Sequence, residues 1–101
     1  MTNQAKHHDG GCMCGAVRYR LHGPFTYSAH CHCRSCQRST GAGYATYSAV
    51  QPDNFEILAG ELTIYESSPG VRRGFCNLCG TSLSYAGDVW TDFAIFSATL
   101  D

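Results

Sequence analysis

Three cysteines crowd into the six residues Cys31-His32-Cys33-Arg34-Ser35-Cys36, and four more stand at positions 12, 14, 76 and 79. Seven thiols in a chain of 101 residues constrain the fold more than any other feature. A domain this small buries only roughly two-thirds of the surface that its unfolded chain exposes, so its stability is marginal without a staple. Disulfide pairing would leave one of the seven thiols over. The N-terminal stretch MTNQAKHHDGG has a single lysine and no apolar core of a signal peptide, so nothing in it directs the chain to an oxidising compartment. The expectation is a cytoplasmic, reduced protein whose cysteines hold metal.

The cysteines fall into three groups, Cys12-x-Cys14, Cys31-x-Cys33-x-x-Cys36 and Cys76-x-x-Cys79. Residues i and i+2 of extended backbone face the same side, so a C-x-C pair can grip an ion from one face of a strand. A C-x-x-C pair turns back on itself as a knuckle, and Gly15 and Gly80, each directly after a cysteine, supply residues free to take positive φ where the chain leaves the turn. Thiolate sulfur selects zinc or an iron-sulfur cluster. Seven is four plus three: one closed four-cysteine zinc and one three-cysteine zinc with room for a further ligand, the contrast that separates structural from catalytic zinc. Cys31, Cys33 and Cys36 share one loop and converge without long-range closure, which assigns them the open site. Cys12, Cys14, Cys76 and Cys79 then join the two ends of the domain. A structural zinc contributes an apparent 10 to 16 kcal/mol, roughly, against about 3 to 5 from so small a core. The rival grouping is a two-knuckle ribbon of Cys33, Cys36, Cys76 and Cys79, but residues 37 to 75, 39 in all, separate its halves, beyond the usual ~15 to 20. His30 and His32 would face away from Cys31 and Cys33 in extended chain and are read as exposed or hydrogen-bonding. His7 and His8 fall in a polar tail.

Seven cationic side chains against eight acidic ones give a formal charge of −1, without a basic run to follow a phosphate backbone, so nucleic acid is not an expected partner. No apolar stretch is long enough for a bilayer. Six of the cations are arginines, Arg18, Arg20, Arg34, Arg38, Arg72 and Arg73, in or beside the cysteine segments. They either balance metal-thiolate charge and cover apolar surface, or grip a carboxylate bidentately. Val17, Tyr19 and Leu21 alternate as in a half-buried strand, and GYATYSAV, NFEILAG, ELTIYES, VRRGF, TSLSYA and DFAIFSA read as further strands between Gly, Pro, Asp and Asn. Ser67-Ser68-Pro69-Gly70 reads as a hairpin turn and RSCQRST as the one helical turn, ending at Gly41. The expected fold is all-β, a small zinc-stapled domain of seven or eight short strands over residues 10–101 behind a tail at 1–9, with Tyr and Phe at alternate positions as core.

The segments GGCMCGAVRY, HCHCRSCQRSTGAGYA, GVRRGFCNLCGTSLSY and the closing FSATLD resemble the motifs of the glutathione-dependent formaldehyde-activating enzyme family, which also includes centromere protein V. The resemblance runs from about residue 10 to Asp101 and includes every cysteine in order. It implies an all-β fold of coiled, zinc-bound antiparallel sheets, the β-tent. It also implies two zinc ions per chain, one structural on Cys12, Cys14, Cys76 and Cys79, the other catalytic on Cys31, Cys33 and Cys36. Family members usually carry further chain after the Leu-Asp motif, where this sequence ends, so a final strand or a wall of the substrate site is expected to be absent.

Three thiolates on a dication leave a net charge of −1, which makes the ion a poor generator of hydroxide and suits a soft incoming thiol instead. The resemblance supplies the reaction: a carbon-sulfur lyase in which glutathione adds to formaldehyde or a similar small aldehyde, and the reverse cleavage. Arg34, Arg38, Arg72 and Arg73 are then candidate clamps for the carboxylates of glutathione. The alternative is a zinc-stabilised module that binds a protein partner without catalysis. Redox sensing is disfavoured, since zinc holds such thiolates against oxidation.

Overall fold

A computed structural model describes residues 7–101. Along the chain run β1 (His7–Gly11), β2 (Arg18–His22), β3 (Tyr27–Cys31), α1 (Arg34–Thr40), β4 (Ala45–Val50), β5 (Phe55–Ala59), β6 (Thr63–Ser68), β7 (Val71–Phe75), β8 (Ser82–Gly87) and β9 (Phe93–Phe96). All strand pairings are antiparallel, in one sheet of order β1-β2-β5 and a second of order β3-β4-β9-β8-β7-β6. The fold is all-β, as expected from the sequence.

The central strands of the larger sheet, β4, β9 and β8, pack on both faces. On one side Val50, Ile95 and Leu83 pack with Val17, Tyr19 and Leu21 of the smaller sheet and with Cys12 and Cys76. On the other, Ala45, Tyr47, Ala49, Ala94 and Phe96 form a second cluster around Cys36 of α1. Strand β4 therefore buries alternate residues in opposite directions, and a period of two directs Tyr47 toward one cysteine group and Val50 toward the other. A register irregularity between Gly74 and Phe75 leaves Leu83 unpaired opposite β7, and both Leu83 and its neighbour Ser84 are buried.

The expected hairpin joins β6 to β7, with Gly70 at φ +76°, and the helix ends where Gly41 takes φ +68°. Two readings are corrected. The described residues form nine strands, because HHDGG forms β1 where its first three residues were expected to be tail; residues 1–6 lie outside the described residues. Its polar composition hides it: the strand is held by the ladder to β2 and by the Arg20–Asp9 ion pair at 2.8 Å, without apolar alternation. Glycine suits position 10, since a Cβ there would lie 2.5 Å from the Thr99 backbone carbonyl oxygen. Nor are all the aromatics core: Tyr27 and Tyr65 lie exposed on the edge strands β3 and β6, and Tyr44 is exposed before β4. The last residues dock onto the small sheet. Leu100 bridges Gly10, the Asp101 amide donates to the Asp9 carbonyl at 3.0 Å, and Arg18 pairs with the Asp101 carboxylate.

Candidate metal centres

Among the described residues the potential metal ligands form two groups, Cys12, Cys14, Cys76 and Cys79, and Cys31, Cys33 and Cys36, each with its sulfurs within 4.8 Å of one another. All seven cysteines are unpaired. The two-knuckle ribbon is not assembled.

The four-cysteine group lies where two hairpin turns meet, the one between β1 and β2 in the small sheet and the one between β7 and β8 in the large sheet. The turns are built alike. The Cys12 amide donates to the Val17 carbonyl at 3.1 Å and the Cys76 amide to the Thr81 carbonyl at 3.0 Å, so each turn is closed between residues five positions apart. In each the second cysteine precedes a glycine of positive φ, Gly15 at +82° and Gly80 at +80°. The C-x-C pair is thus a turn and not the extended segment read from its spacing, because the Gly15 amide reaches back to the Cys12 carbonyl at 3.1 Å. Backbone amides aim at sulfur: Val17 donates to Cys12 Sγ at 3.3 Å and Leu78 to Cys76 Sγ at 3.4 Å. Thr81 ties the two turns together, accepting from the Met13 amide at 3.0 Å while its hydroxyl stands 3.1 Å from Cys79 Sγ. That hydroxyl, followed by the Thr81 amide, holds the Cys79 thiol down to about 5. Nothing in its spacing marks Thr81 beforehand.

The three-cysteine group is local. Cys31 ends β3, Cys33 caps α1 and Cys36 sits in its first turn. The Cys36 amide donates to Cys33 Sγ at 3.4 Å and is the main cause that lowers the Cys33 thiol below its ordinary 9.0. Burial is graded across the group: Cys36 is 1% exposed, Cys31 is partly exposed and Cys33 faces solvent. His30 and His32 are not in the group; both rings pack on Tyr44, and His30 Nδ1 lies 2.9 Å from the Thr46 hydroxyl.

Three of the arginines are committed to carboxylates, Arg18 to Asp101, Arg20 to Asp9 and Arg72 to Asp88. Arg72, expected beside the substrate, thus faces Asp88 at 2.8 Å. The three on the three-cysteine side have no ion-pair partner among the described residues. Arg34 donates only to Gln37 within its own helix, at 3.3 Å. Arg38 and Arg73 line a groove of about 320 Å³ with Ser35, Ser39, Tyr65 and Ser67. Arg73 is the buried one of the two arginines. Its guanidinium donates to Cys36 Sγ at 3.9 Å, to the Tyr47 hydroxyl at 3.4 Å and to Ser67 at 3.2 Å, and lies 4.6 Å from the centre of the Tyr85 ring. Tyr47 and Tyr85 are site residues that spacing could not have found, since they come from β4 and β8.

The sequence profile described as glutathione-dependent formaldehyde-activating enzyme matches residues 7–101. A Halomonas elongata protein named "Putative glutathione-dependent formaldehyde-activating enzyme" is 32% identical over 103 aligned positions, covering 92% of this chain and 65% of its own length. This chain therefore spans a little under two-thirds of that relative. A crystal structure of a Rhodobacter sphaeroides protein superposes with a TM-score of 0.76 at 23% identity, over 92% of this chain and 87% of that one, a likeness of fold.

Proposed function

The chain belongs to the glutathione-dependent formaldehyde-activating enzyme family, and on that premise we propose that it is a zinc-dependent carbon-sulfur lyase that joins a small thiol, glutathione, to formaldehyde or a similar aldehyde and cleaves the adduct in reverse. The observation that carries this reading is the second cysteine group: three convergent thiols, one of them facing solvent, beside a groove lined by Arg38 and Arg73.

Two sulfur spacings of the four-cysteine group suit zinc. Ligands at about 2.3 Å from a tetrahedral zinc stand about 3.8 Å apart. Cys12 and Cys14 are 3.6 Å apart and Cys14 and Cys76 3.8 Å. We assign Cys12, Cys14, Cys76 and Cys79 to a structural ion and Cys31, Cys33 and Cys36 to a catalytic one. A zinc on three thiolates supplies a place where an incoming thiol loses its proton at neutral pH yet stays nucleophilic. Every other part of the task falls to the chain. Cys36 anchors the group from the core, and the exposed Cys33 fronts the approach. Arg38, with Ser35 and Ser39 on the same helix, receives a carboxylate of the thiol in the groove, where a guanidinium can bind both oxygens. Holding thiol and aldehyde together supplies rate through orientation. In the forward direction the thiol S–H bond and the carbonyl C=O π bond break, a C–S bond forms to the carbonyl carbon, and the proton joins the oxygen that keeps the π electrons, as the hydroxyl of S-hydroxymethylglutathione. Reduced, unpaired thiols fit a cytoplasmic setting.

The test is direct assay of S-hydroxymethylglutathione formation from glutathione and formaldehyde by the zinc-loaded chain. Turnover above the spontaneous rate, lost in Cys36→Ser, supports the reading. A loaded chain that adds nothing to the background rate refutes it and favours the binding module.

A further inference from the structure

We propose that Arg73 is the counter-charge of the three-cysteine centre, a positioning residue that lets the centre accept an anionic fourth ligand. The inference rests on metal binding at Cys31, Cys33 and Cys36, and deepens that reading.

Arg73 is 4% exposed, yet no carboxylate lies within ion-pair distance of it among the described residues. A buried cation without an anion is costly, because desolvation removes its water and neutral partners repay only part of that loss. Ser67, Tyr47 and Tyr85 are neutral. The one group around the guanidinium that bears negative charge when it ligates a metal is Cys36, whose Sγ stands 3.9 Å from Arg73 Nη2. The other buried polar residues among those described are serines, so this cation is not part of a buried ion-pair network.

The placement is over-determined. Arg73 pairs with Tyr85 across the β7–β8 ladder, and its guanidinium lies over that ring, 4.6 Å from the ring centre, where the ring face attracts a cation. Tyr47 bridges, its hydroxyl 3.2 Å from Cys36 Sγ and 3.4 Å from Arg73 Nη1. Three thiolates on a dication sum to −1, and Arg73 brings the assembly to zero. An entering thiolate then restores only −1, where without Arg73 it would build −2 at a partly buried centre. The guanidinium thus favours an anionic fourth ligand over a neutral one of similar size.

The experiment uses the full chain loaded with cobalt(II) and compares wild type with Arg73→Met, Arg73→Lys and Tyr47→Phe. Affinity at each centre is read by chelator competition, and fourth-ligand binding by titration with glutathione and, separately, with imidazole. Loss of a hydrogen bond to a charged group predicts that Arg73→Met loosens metal at the three-cysteine centre by about tenfold to a hundredfold, with the four-cysteine centre unchanged. Arg73→Lys should recover part of the loss. Glutathione affinity should fall several-fold more than imidazole affinity in Arg73→Met. Tyr47→Phe should move both in the same direction by less, and it carries the test if Arg73→Met does not fold. Wild-type metal affinity in Arg73→Met, or equal weakening of glutathione and imidazole, overturns the counter-charge role while leaving the metal reading intact. A wild-type chain that takes up metal only at the four-cysteine centre overturns both.

Discussion

The two cysteine groups differ most in how far apart in the chain their members lie. Cys14 and Cys76 meet across 62 positions, from turns in different sheets, whereas Cys31, Cys33 and Cys36 occupy six consecutive residues. A ligand set gathered across the fold can form only when both sheets are in place, so binding there is folding energy. A set gathered within one loop demands little of the fold and is free to serve chemistry. Burial does not separate them in the same way: Cys12 and Cys76 belong to the core between the sheets and Cys36 to the second cluster, while each group also has one exposed cysteine, Cys14 and Cys33.

The largest expected effect separates the groups outright. Cys79→Ser should forfeit most of the roughly 10 to 16 kcal/mol of a structural zinc, more than the whole stability of most domains of this size, and leave the chain unfolded by circular dichroism. Cys36→Ser should keep its fold, lose turnover, and fall in stability by about 1 to 3 kcal/mol for the broken contacts with Arg73 and Tyr47. Equal unfolding of both variants would erase the distinction. Next in size is metal lability: of two zinc ions per chain, a chelator should strip the one at Cys31, Cys33 and Cys36 well before the other, as followed by elemental analysis of the retained protein.

Thr81→Val sharpens the comparison from the structural side. It removes the hydroxyl that stands beside Cys79 and accepts from Met13, and should cost about 1 to 3 kcal/mol in denaturant unfolding without altering turnover per folded molecule. The smallest effect is on pH dependence. Protons compete with metal for thiolate, so both centres lose metal as pH falls. The favourable contribution of the Cys79 thiolate is full above the ordinary 9.0 and gone only once pH drops through its lowered value of about 5. Thr81→Val should therefore raise the pH at which the four-cysteine centre releases metal, and leave the release point of the other centre where it was.

The three-cysteine group was legible in the sequence because its spacing is local, the four-cysteine group because two short-spaced pairs then remained, and the strands between them because Tyr19, Leu21 and Tyr47 alternate with polar neighbours. The rest was not. Strand β1 is held by backbone pairing and by Asp9, neither of which leaves an apolar pattern. Arg72 and Arg73 are adjacent in sequence, yet consecutive strand residues face opposite sides, so one meets Asp88 and the other Cys36. Tyr47 and Tyr85 reach the same guanidinium only because β9 brings β4 and β8 into one sheet. Spacing could nominate four arginines; only the register of β7 distinguishes between the last two.

The most direct test of the account is the cobalt(II) spectrum of the fully loaded chain titrated with glutathione. Two ions per chain, of which one changes its thiolate charge-transfer and d–d bands as a ligand enters and the other stays silent, is the predicted result. A single bound ion, or two ions that both ignore the thiol, would contradict it.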